Sequence, residues 1–322
     1  MANRKRIGVL IGQAEEGHQT LFMEGFLAKA FSYDYDVCVF AMYNKYQETT
    51  AREIGESTIF SLVNYDVFDG FVVLMDTIQT KGMADEIEEH LKAYFHGPVI
   101  CVDKESKYFT TLMIPHYASV KKLVSHLIDV HGYEDIAFLT GKRWHPHSAE
   151  RLSAYMDAMA EHDLEVPENR VFYGDFWYSS GETMVEKLLQ DKEHMPRAIA
   201  CANDQMAIGV AQALVANGYR IPEDIAVVGY DSIEDGRTSP SPITSAPIPS
   251  KACGRHAAIM MHAMLLGKEV PAFDPDPELF IGGSCGCSYH IVPKDVLRES
   301  WGNDDSEGSF YARSNHLMED ML

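Results

Sequence analysis

The chain has 322 residues, too many for one small core and suited to two lobes of about 150 residues each. With 46% apolar and 23% charged residues, its composition is that of an ordinary globular protein and excludes wholesale disorder. The formal charge of -21, from 27 Lys and Arg against 48 Asp and Glu, repels phosphate backbones and anionic lipid, so this chain is not expected to bind nucleic acid or membrane by itself.

The first apolar run, residues 6–11, follows the basic start Arg4-Lys5-Arg6 and is short enough to read as a buried strand. No run of 18 apolar residues exists, so neither a signal peptide nor a membrane span is expected, and the chain is expected to be cytoplasmic. A helical period over 20–31 and a strand over 36–41 complete a βαβ rhythm. It continues with strands at 68–74, 97–102 and 136–140, separated by amphipathic stretches at 83–95 and 120–130. Continuous apolar strands of this kind predict parallel sheets covered on both faces. The second half repeats the pattern, with a strand at 197–202, a helix at 205–217 ending before Gly218, and a strand at 225–229. Residues 239–250 hold four prolines, which cannot serve a central strand, and are expected to form an irregular crossing between lobes. A helix follows at 252–266 and a plausible strand at 277–281. Residues 300–309 are polar, and 310–322 have helical spacing without a closing signal, which suggests a cut connector helix or a docking tail.

Of the six cysteines, Cys38, Cys101 and Cys201 sit in apolar strand-like runs, where cysteine behaves as a small hydrophobe and a reducing compartment fits. Only Cys285-Gly286-Cys287 invites a chemical reading, and without a second pair it is a weak metal or redox signal. No metal site and no cofactor are expected. Gly282-Gly-Ser-Cys-Gly286 matches the nucleophile-elbow pattern, but no helix is expected after it and no placed His and acid pair accompanies it. Phosphate-binding, zinc-protease, dinucleotide and calcium-loop signatures are missing, so an enzyme is not expected.

Three segments carry a resemblance. Residues Ala198-Ile-Ala-Cys-Ala-Asn-Asp-Gln-Met-Ala-Ile-Gly209 are followed by Gly218-Tyr-Arg-Ile-Pro-Glu-Asp-Ile-Ala-Val-Val-Gly-Tyr-Asp231. A second segment runs from His126 through Gly132-Tyr-Glu-Asp-Ile-Ala-Phe-Leu-Thr-Gly141 to Arg151, and a weaker opening is Ile7-Gly-Val with Gly25. Over residues 5–285 the chain resembles the ligand-binding domain of the LacI/GalR family, a periplasmic-binding-protein-like type I fold. That implies two Rossmann-like lobes, each with a mostly parallel sheet flanked by helices, joined by three crossings. The expected division is 5–113 with 247–271, 114–246 with 272–287, and a linker with a truncated connector helix at 288–322.

The resemblance implies a small polar ligand, a sugar or sugar-like metabolite, between the lobes, where the carboxyl ends of parallel strands also place it. Arg151 matches the arginine that forks onto ligand hydroxyls or a carboxylate, the alternative being a surface ion pair. Asp231 matches the aspartate that accepts from hydroxyls, or else it caps a turn. Asn203 can donate and accept at once, with Asp204 expected to cap the next helix. Phe176 and Trp177 fall where an aromatic ring stacks on the ligand, or they are core. His18 and Gln19 stand where the family carries paired aromatics, replacing stacking by hydrogen bonding, while Met75 and Asp76 follow a strand and are expected at the cleft. Trp144, His145 and His147 can line the same side or be solvated loop. Two departures, Pro115-His116 in place of Asp-Asn and Ala246-Pro-Ile248 in place of a polar residue, point away from a plain hexose.

The resemblance implies a homodimeric sensor of a transcriptional regulator or signalling protein. The family's helix-turn-helix does not precede the first strand, and the ending is similar to sensor domains joined to outputs such as GGDEF diguanylate cyclases, histidine kinases or AraC-type DNA-binding modules. A solute-binding protein of a transport system is the alternative.

Overall fold

The computed structural model describes residues 4–43, 50–78 and 80–288. In chain order the elements are β1 (Arg6–Ile11), α1 (Gly17–Ser32), β2 (Asp36–Ala41), α2 (Thr50–Ser57), β3 (Gly70–Leu74), α3 (Met83–Tyr94), β4 (Val99–Val102) and β5 (Thr110–Leu112). They are followed by α4 (His116–His131), β6 (Ile136–Thr140), α5 (Pro146–Glu161), β7 (Val171–Tyr173), α6 (Tyr178–Leu188), β8 (Ala198–Cys201) and α7 (Asp204–Ala216). Last come β9 (Ala226–Asp231), α8 (Glu234–Arg237), β10 (Thr244–Pro247) and α9 (Ser250–Leu265). The polar stretch expected at 300–309 and the helix expected at 310–322 lie outside the described residues.

Two five-stranded sheets result, ordered β2-β1-β3-β4-β5 and β10-β9-β8-β6-β7, with every strand pair parallel. The central strands are buried along their whole length, as in the Gly70–Leu74 and Ile136–Thr140 runs, because helices cover both faces. On one face of the first sheet, Ile7, Val9 and Val72 pack against Phe22 and Phe26 of α1 and Ala257 and Met261 of α9. On its other face, Phe71 and Val73 pack against Ile87 and Leu91 of α3. Both sheets belong to one unit that ends at Gly286.

The chain passes between the sheets three times: from β5 into α4, from β10 into α9, and back from α9 to Phe280, which makes an antiparallel bridge to Ser245. The strand expected at 277–281 is reduced to that one bridge. The proline-rich stretch expected to be irregular contains β10, which Pro247 closes. It lies at a sheet edge, where a missing N–H costs no ladder bond. β5 and β7 are the other strands not anticipated, and they too are edge strands, of only three residues each. Among the described residues no helix is long and apolar enough to cross a membrane.

Candidate ligand-binding site

In a parallel sheet all carboxyl ends lie along one edge, and loops there carry side chains free of strand packing. At that edge of the first sheet stand Asp76 after β3 and Asp103 after β4. The second sheet contributes His147 and Arg151 from α5, Phe176 after β7, Asn203 after β8 and Asp231 at the end of β9. The two edges face each other, because Asp76 and Asp103 of the first meet His147 of the second at 3.7 and 3.4 Å.

A hydrogen-bonded network runs through this meeting point. His116, at the start of α4, donates from Nε2 to Asp103 at 3.1 Å and accepts at Nδ1 from Tyr230 at 2.7 Å and from Arg151 at 3.3 Å. Those partners fix a neutral imidazole with its proton on Nε2, and burial together with the nearby Arg151 charge keeps its pKa below the ordinary value. His147 behaves oppositely. Burial alone would lower its pKa, but hydrogen bonds to Asp103 and Glu150 and the charges of Asp103 and Asp76 outweigh it and raise the imidazole to about 9. Burial likewise opposes ionisation of Asp103, yet His116 and His147 hold its carboxyl well below the usual carboxylate range. His145 lies beside this charge, and burial, then the His147 and Arg151 charges, push it down to about 4.

Arg151 is 6% exposed and donates from one terminal nitrogen to Ala202 O at 2.7 Å. Its guanidinium sits 4.2 Å from the Tyr230 ring centroid and 5.9 Å from that of Phe176. It is therefore buried at the meeting point, and the alternative of a surface ion pair is set aside. Asp231 has a backbone φ of 98°, a conformation rarely adopted by a side chain with a Cβ. Burial raises its pKa, against the opposing charges of Arg151 and His18. His18, half-buried on α1, lies 3.4 Å from Ser250 Oγ, and Gln19 beside it is also half-buried. Phe176 holds φ 71° with its ring laid over Gly141, where an added Cβ would fall 2.0 Å from the ring.

Two expectations, the Asp204 cap and a cleft-facing Met75, need correction. Asn203, not Asp204, caps α7. Its Oδ1 accepts from Met206 N at 3.0 Å, and its amide donates to Phe176 O and Gln205. Asp204 is fully buried beneath the site, accepting from Ser245 and Ile233 N, and burial with the Asp231 charge pushes its carboxyl up to about 8. Met75 is 2% exposed within the apolar cluster of the first sheet and does not face the cleft. Trp177 is 49% exposed and packs edge-on against Tyr178. His147 is buried, not solvated loop, whereas Trp144 is 76% exposed.

Sequence reasoning did not place Asp103, Glu150 or Tyr230 in the site. Asp103 directly follows Val102 at a strand end, the same signal that picked out Asp76. Asp103, His116 and His147 each offer a ligating atom within 4.8 Å of the others, but in this geometry they already satisfy one another as acceptor and donors. A cavity of about 260 Å³ opens elsewhere, between β7 and α6, lined by Phe172, Asp175 and Lys187 among others, away from the convergent charges. Ser284 of the elbow-like sequence is fully buried and bonded to Thr244 N and Val227 O, so it serves as a structural link between strands and not as a nucleophile.

A family model described as "Periplasmic binding protein-like domain" matches residues 124–285. The HTH-type transcriptional repressor PurR of Klebsiella pneumoniae subsp. pneumoniae is 26% identical over 266 residues, covering 82% of this chain and 74% of the repressor. Among solved structures, a LacI-family regulatory protein from Chloroflexus aggregans superposes with a TM-score of 0.68 at 24% identity, covering 87% of this chain and 98% of that one. The transcription regulator CcpA of Lactococcus lactis gives 0.67 at 22% identity, covering 87% and 99%. These relatives are regulators of transcription and not enzymes, and they do not favour a transport role. The chain thus belongs to the periplasmic binding protein-like domain family, as a ligand-binding domain of the LacI/GalR type.

Proposed function

We propose that this domain senses a small polyhydroxylated metabolite, a sugar or sugar-like compound, held between the carboxyl edges of the two sheets. One observation carries the reading. His18 Nε2, Arg151 Nε and Asp231 Oδ1 are buried without a hydrogen-bond partner in the protein. Each such group costs about 1–3 kcal/mol, and a ligand that supplies the missing partners recovers that cost. Arg151 donates to ligand oxygens, Asp231 accepts from a hydroxyl, and the Phe176 ring offers an apolar wall.

Binding draws the two edges together, and a homodimer transmits that movement to an output module, a DNA reader or a signalling enzyme such as a diguanylate cyclase. The ligand biases the output by no more than its differential affinity for the two states. The test is a thermal-shift and calorimetric screen against sugars, sugar acids and nucleosides, repeated with Asp231→Asn and Arg151→Ala. The ligand that stabilises the parent chain should lose at least about 100-fold in affinity in each variant, the size of a lost charge-assisted bond. If both variants bind as tightly as the parent, the proposal fails.

A further inference from the structure

α4 begins in the ligand site at His116, but its other end carries a separate constellation. His126 and His131 lie ten and fifteen residues further on, roughly 15 and 22 Å along the helix at 1.5 Å per residue. There His126, His131 and Cys285 each present a ligating atom, all within 4.8 Å of one another, although Cys285 is more than 150 residues away in sequence.

The backbone is shaped for this approach. Gly132 ends α4 at φ 66°, turning the chain so that Tyr133 stacks on the His131 ring at 5.3 Å and its hydroxyl donates to Cys285 O at 3.1 Å. Gly286 holds φ 105°, and a Cβ there would meet His131 Nδ1 at 3.3 Å and the Tyr133 hydroxyl at 3.0 Å, so glycine lets the segment that carries Cys285 close on the histidine. Thr244 Oγ1 lies 3.0 Å from the Cys285 sulfur, where its hydroxyl can donate to a thiolate.

We propose that His126, His131 and Cys285 form a metal site for zinc or a similar borderline-soft divalent ion, distinct from the ligand cleft. Two imidazoles and one thiolate are the donor types of tetrahedral zinc. The site lacks the oxygen ligands that calcium or magnesium requires. Ligand atoms around tetrahedral zinc stand roughly 3.5 Å apart, so separations within 4.8 Å close by small side-chain rotations. The fourth position is left to water. Such an ion staples the segment after the second sheet to the C-terminal end of α4, the helix that also carries His116 into the cleft.

The test uses the full, untagged chain. Metal analysis after purification and dialysis should find one zinc per chain, and cobalt substitution should produce a thiolate-to-cobalt charge-transfer absorption. His131→Asn, half-exposed at a helix end and expected to fold by circular dichroism, should weaken zinc binding by more than about 100-fold. Cys285→Ser should remove the charge-transfer absorption. A chain that purifies and reconstitutes without metal, a His131→Asn variant that keeps full affinity, or loss of the metal in Asp103→Asn instead would each overturn the assignment.

Discussion

His147 shows how a single residue reports the electrostatics of the site. Asp76, Asp103 and Glu150 face it, with His116, His145 and Arg151 close by, and the carboxylates prevail, raising it to about 9. Because the folded pKa lies above the ordinary value of about 6.5, the charged imidazole stabilises the fold fully below that pH, and the contribution fades as pH rises through about 9. Urea unfolding of His147→Gln should therefore show a loss on the order of 2 kcal/mol at pH 6 that shrinks markedly by pH 10. A pH-independent difference would mean that His147 acts by packing alone. Asp76 was legible from its place after a strand, and Asp231 through the family resemblance, whereas Asp103 was not, because only the fold brings His116 and His147 against it.

At the scale of elements, glycines set the distances between helices and loops. Gly25 of α1 and Gly254 of α9 face each other's backbones, and an added Cβ would fall 2.0 Å from Lys251 O and from Phe22 O respectively. Gly25→Ala or Gly254→Ala forces the helices apart and should cost about 1–3 kcal/mol, measured as a lower midpoint of chemical unfolding. Gly141→Ala is predicted to expel the Phe176 ring from its seat, and it should weaken ligand binding more than it lowers stability, measured by calorimetry beside unfolding. The long central elements were legible because burial on both faces leaves continuous apolar runs. The edges β5, β7 and β10 were not, because three or four residues with one covered side carry too little pattern.

For the whole molecule, the proposed closure of the two carboxyl edges would turn on the three passages between the sheets. Saturating ligand should raise the melting temperature and reduce the radius of gyration measured by X-ray scattering; a rise in melting temperature with unchanged dimensions would indicate binding without closure. Chelation of zinc at the far end of α4 should lower the melting temperature without abolishing ligand binding if the two sites are energetically separate.

Local apolar periodicity and glycine stops were enough, from sequence alone, to indicate a doubly built parallel α/β chain, whereas Arg151 and Asp231 came to notice through the resemblance to the LacI/GalR family. Those signals lie within one element and its neighbouring turn, where spacing along the chain equals spacing in space. The neutral His116 beside the charged His147, the capping role of Asn203, the burial of Met75 and the gathering of His126, His131 and Cys285 were decided by tertiary structure. Each depends on which distant side chains arrive at one point, and burial there sets both the charge a group carries and the partners left for it.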